Sequence, residues 1–279
     1  MTCMFRRVMH SAALMLLALN LTAAQTSPEK LAFTPPPVAD PLPFKIGETL
    51  YYNVNFSKLI FSGTIGELKL MVSKPLDPTA SEMIELKAEA VSKGFFPTLF
   101  GVKVKDHYTS LVNLADFGVM ASTKLIEEGK VRREQKSVVN RQSGLVTYTD
   151  RDLSNSKNPL KVKERTSPTW IQDLLSTVYF VRAQPLKEGD VIPVPISDGG
   201  EIYNIEVVAG KREEIKAGGA RFKAIQLNAK VFDGRYLKRS GEMLVWVADD
   251  QTRVPLRARI KTSGATITVD LKRMPGKVA

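Results

Sequence analysis

Apolar and polar residues alternate with a period of two along most of this chain. Leu50, Tyr52, Val54 and Phe56 alternate with Tyr51, Asn53 and Asn55, and Leu68, Leu70 and Val72 with Glu67, Lys69 and Met71. Ile84, Leu86, Ala88 and Ala90 alternate with Glu85, Lys87 and Glu89. Near the C-terminus Val254, Leu256, Ala258 and Ile260 oppose Arg253, Arg257, Arg259 and Lys261, and Ile267, Val269 and Leu271 oppose Thr268 and Asp270. Such alternation builds strands with one buried and one wet face. Turn signals such as "DPTA" at 77–80, "EEGK" at 127–130, "SDGG" at 197–200 and "TSG" at 262–264 separate them. The pattern predicts about a dozen strands in an antiparallel meander. A strand–helix–strand rhythm is missing, which argues against a parallel sheet.

One segment breaks the period. In "TWIQDLLSTVYFVR", residues 169–182, Ile171, Leu174, Leu175, Val178, Tyr179 and Val181 fall on one helical stripe that begins beside Trp170. Ser167 or Thr169 offers a cap, Pro168 suits a first turn, and Pro185 stops the helix. The expected element runs from about 168 to 183. Its stripe is too apolar for a surface helix, so it should pack on the concave face of a large curved sheet, half-barrel or barrel-like, as a plug. Asp173 and Ser176 then satisfy nearby backbone groups, and Arg182 pairs with a carboxylate at the sheet rim. The polar stretch 151–167 reads as a mobile connection or a weak edge strand.

The N-terminus adds a compartment. "MTCMFRRVMH" is basic, "SAALMLLALNL" is apolar, and "TAAQ" places Thr22 and Ala24 where a signal peptidase reads small residues. Residues 1–24 therefore read as a cleaved signal peptide, with cleavage near Ala24. The apolar run falls short of the roughly 20 residues of a spanning helix, so no integral membrane protein is expected. Residues 25–43, "QTSPEKLAFTPPPVADPLP", read as a proline-rich disordered spacer. One β-rich domain is expected over residues 44–274.

Candidate chemistry is sparse. The single cysteine, Cys3, and one of the two histidines, His10, lie in the leader. Disulfides, thiolate chemistry and a zinc centre are therefore unexpected, and no cofactor or metal is expected at all. His107 alternates with Val102 and Val104 in "VKVKDHYTS", which puts it on the charged face of a strand rather than in an enclosed triad. The paired acids Glu127/Glu128, Glu213/Glu214 and Asp249/Asp250 sit at or beside turns, where they face water; no catalytic residue is assigned. Net charge is +11, spread over many strands without a basic helix or an aromatic nucleic-acid motif, so nucleic acid is not expected as a partner. "KGFFPTLFG" at 93–101 crowds Phe95, Phe96 and Phe100 into one segment, either the lip of an apolar cavity or part of the core.

Three stretches carry a family resemblance: "FKIGETLYYNVNF" from Phe44, "DLLSTVYFVRAQPLKEGD" from Asp173, and "WVADDQTRVPLRARI" from Trp246. Together they resemble the exported bacterial family catalogued as domain of unknown function 3108, over residues from about Phe44 to Met274. The resemblance implies export and a β-rich domain. It carries over no active site.

These readings yield a leading expectation: a soluble periplasmic binding or envelope-assembly protein holding an apolar, lipid-like ligand. Phe95, Phe96, Phe100, Trp170, Tyr179 and Arg182 would line the ligand, with Arg257 and Arg259 meeting an anionic headgroup. The alternative is a non-enzymatic structural or interaction protein with a filled core. A hydrolase built on carboxylates comes third. Oligomeric state is left open by the sequence.

Overall fold

The alternating segments pair in sequence order, each hairpin feeding the next, in a computed structural model that describes residues 35–59, 61–77, 79–94, 103–232, 234, 236, 237 and 240–273. The first strands are β1 (Thr49–Lys58), β2 (Phe61–Ser73), β3 (Met83–Ser92), β4 (Lys105–Asn113) and β5 (Val119–Glu128). β6 (Val131–Asn140), β7 (Leu145–Asp152) and β8 (Lys161–Thr166) follow. After the helix α1 (Leu174–Arg182) come β9 (Val191–Asp198), β10 (Glu201–Ala217) and β11 (Ala220–Ala229). β12 (Gly241–Ala248), β13 (Pro255–Thr262) and β14 (Thr266–Arg273) complete the set.

These form one 14-stranded antiparallel sheet ordered β8-β7-β6-β5-β4-β3-β2-β1-β14-β13-β12-β11-β10-β9. The first and last strands meet in its middle, where β1 pairs with β14. The pairing direction puts the connections β1–β2, β3–β4, β5–β6, β7–β8, β9–β10, β11–β12 and β13–β14 at one end, called here the hairpin end. Residues 167–190, which carry α1, leave and rejoin the sheet at the opposite end.

The sheet curls until its two edges approach, but they do not pair into a closed barrel. Side chains hold the seam: Lys163 lies 2.9 Å and Arg165 3.0 Å from Glu201, and Lys163 also donates to the Gly199 carbonyl. Lys161, Lys163 and Arg165 face inward on β8, in register with Asp150, Tyr148 and Val146, and charges so placed blunt an open edge. The predicted weak edge strand is thus real. The turn that meets it, Asp198-Gly199-Gly200-Glu201, has φ of 60° and 79° at its glycines, the left-handed values a two-residue hairpin needs.

α1 fills the lumen against β3, β4 and β9. It begins at Leu174, later than the expected residue 168. Thr169 and Trp170 form a turn, closed by Ile171 N–H on Pro168 O. The helix cannot continue from it because Gln172 is drawn into a parallel bridge with Ile196 on β9: its N–H donates to Pro195 O, and its carbonyl accepts from Ser197 N–H. Neither Ser167 nor Thr169 caps the helix. Asp173 does, accepting from the Leu175 and Ser176 N–H groups at 2.9 and 2.7 Å, while Ser176 Oγ accepts from Asp173 N–H. Gly118 allows the incoming chain to pass close, since a Cβ there would lie 2.5 Å from Thr169 O. Trp170, Tyr179 and Phe180 are fully buried, with Trp170 stacked on Phe180 at 5.9 Å and Phe44 edge-on to Tyr179 at 5.0 Å. Burying each such ring contributes roughly 1.5–3 kcal/mol. Ahead of Phe44 the chain also docks: Val38 and Leu42 pack on this core, and Ala39 N–H donates to Ala183 O.

Candidate functional site

The interior has two unlike halves. Toward the chain-entry end it is the apolar plug, locked by one buried ion pair. Arg182, 0% exposed, donates to both Glu48 carboxylate oxygens at 2.7 and 3.0 Å and to Thr252 O at 3.0 Å. Its guanidinium lies over the rings of Phe44 and Tyr179, 5.1 and 5.2 Å from their centroids. Arg253, at φ 44°, donates to the Arg182 and Gln184 carbonyls and so fastens the helix C-terminus. The carboxylate expected for Arg182 is present, and it belongs to Glu48.

Toward the hairpin end the lumen is polar. Asp106 and Tyr108 on β4, Lys124 and Glu128 on β5, Gln135 on β6 and Asp150 on β7 all turn inward and are buried. Their strands also carry outward residues, with His107 among them. Arg133 clasps Asp150 through two hydrogen bonds. Lys124 pairs with Asp198, whose second oxygen accepts from Tyr236 OH at 3.0 Å. Near this pair Ser122, Ser137, Tyr148 and Ser197 line a recess of about 10 Å³, room for roughly one water. The Ser197 hydroxyl, on a residue 7% exposed, has no hydrogen-bond partner among the described residues.

Asp106 and Glu128 form a carboxyl pair in this half. Asp106 accepts from Glu127 N–H at 2.8 Å and Tyr108 OH at 3.3 Å, and it hydrogen-bonds Glu128. Burial, then the neighbouring Asp106 charge and that hydrogen bond, push the Glu128 carboxyl up to about 7. The expectation that Glu127/Glu128 face water is corrected here, because Glu128 shares the inward parity of Lys124 and Ile126. Two carboxyls sharing a proton are the raw material of acid–base chemistry. At 1% and 5% exposure, however, a substrate would have to displace protein to reach them.

Among the described residues, the sequence-derived ligand residues fall in two separate places. Trp170, Tyr179 and Arg182 meet within the plug. Arg257 and Arg259 lie on the outer face of β13, where Arg257 pairs with Asp270 and Arg259 sits 5.2 Å from the Trp246 ring centroid, across from Glu242. Arg253, grouped with them by alternation, belongs to the turn that grips α1. Phe95, Phe96 and Phe100 lie outside the described residues, as do residues 1–34. The polar half escaped the sequence reading, although Asp106 shares parity with Tyr108 and Val112, and Lys124 with Ile126.

No helix among the described residues is long and apolar enough to cross a membrane, and no group of three or more His, Cys, Asp or Glu side chains among them could hold a metal ion. In fold the chain is similar to a β-barrel-like protein of domain of unknown function DUF1849 from Brucella abortus, with TM-score 0.55 and 8% identity over 82% of this chain and 96% of that one. A candidate exported protein with a YmcC-like fold from Bacteroides fragilis aligns at TM-score 0.27 and 9% identity, covering 83% of this chain and 97% of its own. A candidate lipoprotein from Parabacteroides distasonis aligns at TM-score 0.28 and 8% identity, covering 86% and 97%. Scores that low add nothing to the fold assignment. No curated protein matches the sequence. The profile of the family described as a protein of unknown function, DUF3108, matches residues 49–272, so the chain belongs to the DUF3108 family.

Proposed function

We propose that this chain is an exported, non-enzymatic protein of the bacterial envelope that keeps its lumen filled and acts through its outer surface. The observation that carries the reading is α1: the helix, with Tyr179, Phe180 and Arg182 fully buried and Trp170 stacked on Phe180 from the turn ahead of it, occupies the space a lipid-like ligand would need. Sites for ligands of that size usually enclose about 300–1,000 Å³. The polar recess near Ser197 offers about 10 Å³. Export to the periplasm is supported by the three-part leader. Native mass spectrometry of protein purified from its own periplasm tests the reading. The expected spectrum is that of the bare chain, and a stoichiometric lipid adduct would contradict it.

A carboxylate hydrolase is the second reading, favoured only by the Asp106–Glu128 pair. Asp106→Asn that leaves cellular function intact would remove it.

A further inference from the structure

The hairpin end differs in character from the opposite end. Leu59, at the β1–β2 turn, is 92% exposed, and Leu153 and Leu160 in the β7–β8 connection are exposed as well. Around them stand exposed lysines from four connections or their flanking residues: Lys103 and Lys105 entering β4, Lys130 between β5 and β6, Lys157 between β7 and β8, and Lys230 after β11. None of these lysines has a carboxylate within ion-pair distance among the described residues. Most acids at this end are already engaged: Asp198 by Lys124, Glu201 by Lys163 and Arg165, Glu127 by Arg132. The opposite end also has exposed apolar residues, Leu76 and Ile46, and exposed lysines, Lys45, Lys74 and Lys187, but there they stand among the exposed acids Asp40, Asp77, Glu82, Glu188 and Asp250.

We propose that the hairpin end is a docking surface for an anionic phospholipid membrane, with Leu59, Leu153 and Leu160 entering the interface and the lysines facing headgroups. Single exposed leucines are ordinary on a protein surface. Here they share one end with unpaired cations, the combination by which peripheral proteins hold to acidic lipid. Each lysine close to such a surface adds attraction that salt screens. Docking by this end would point the polar half of the lumen at the membrane and leave the Arg182–Glu48 lock facing away. The surface goes beyond the filled-lumen reading and does not depend on it.

Co-sedimentation of the purified protein with vesicles tests the proposal. The probes are phosphatidylcholine vesicles with and without one quarter phosphatidylglycerol, at low ionic strength. Binding is expected to the anionic vesicles alone and to weaken as salt rises. The triple substitution Lys103→Gln, Lys130→Gln, Lys157→Gln should weaken it roughly 100-fold, and Leu59→Asp roughly tenfold or more. Arg221→Gln with Lys223→Gln, at the other end, should leave it unchanged. Thermal melting of each variant checks that it is folded. Wild-type protein that ignores anionic vesicles, or equal losses from substitutions at the two ends, would overturn the proposal, and a surface reserved for a protein partner would give the first of these. A lipid adduct inside the lumen would contradict the filled-lumen reading without touching this one.

Discussion

Arg182 on the last turn of α1 and Glu48 just ahead of β1 form a two-hydrogen-bond ion pair across 134 residues of sequence. The pair ties the helix inside the sheet to the middle of the sheet itself, beside the β1–β14 junction. Both side chains are withdrawn from water, so each depends on the other. Removing one partner of a buried pair leaves an uncompensated charge and costs about 3–5 kcal/mol. Glu48→Ala should therefore lose stability of that order in urea denaturation. Arg182→Met combined with Glu48→Leu should recover much of it, because neither charge remains.

The plug should depend on its apolar stripe. Leu175→Ala is expected to cost about 2–5 kcal/mol and Phe180→Ala about 3–5 kcal/mol. Leu174, half-buried, should cost less than Leu175. Chemical denaturation of the three single variants ranks them.

Ser176 matters through the helix start rather than through reactivity. Its Oγ satisfies the buried Asp173 N–H, so Ser176→Ala should cost about 1–3 kcal/mol. Asp173→Ala should cost more, since Asp173 caps two N–H groups and also accepts from Ser110 Oγ at 2.5 Å. Any functional assay should follow stability in both variants.

Stability should fall as pH rises through neutrality. Glu128 is raised from 4.5 to about 7, so the folded chain keeps a proton there that the unfolded chain releases. Its contribution is fully present below about pH 4.5 and is lost as pH climbs through 7. Carboxylates shifted downward, such as Glu67 and Glu213, change charge below that window. Melting temperature should drop between pH 5.5 and 8, and Glu128→Gln should flatten the drop.

Much of this architecture was legible because alternation is a local signal. Leu50 to Phe56 and Ile84 to Ala90 announce their buried faces, and the Trp170-to-Val181 stripe announces a buried helix. Fourteen strands appear instead of about a dozen, since β4 to β7 alternate polar with polar and hide which face turns inward. On β5, Lys124 is buried while Leu125 is exposed, a choice set by Asp198 across the lumen rather than by hydrophobicity. The helix start was misplaced for a similar reason. Residues 169–173 suit a first turn, but the β9 edge offers Gln172 backbone partners that propensity cannot see. Glu48 could not be named as the partner of Arg182, because nothing local marks a contact so distant in sequence.

Native-state hydrogen exchange of the α1 amides tests the central claim most directly. A fixed plug opens only when the whole domain does, so the buried amides of Leu174–Arg182 should exchange with the same free energy as the slowest amides of β1 and β14. Exchange of α1 that is orders of magnitude faster, with the sheet still protected, would mean that the helix leaves the lumen and that the interior is a site after all.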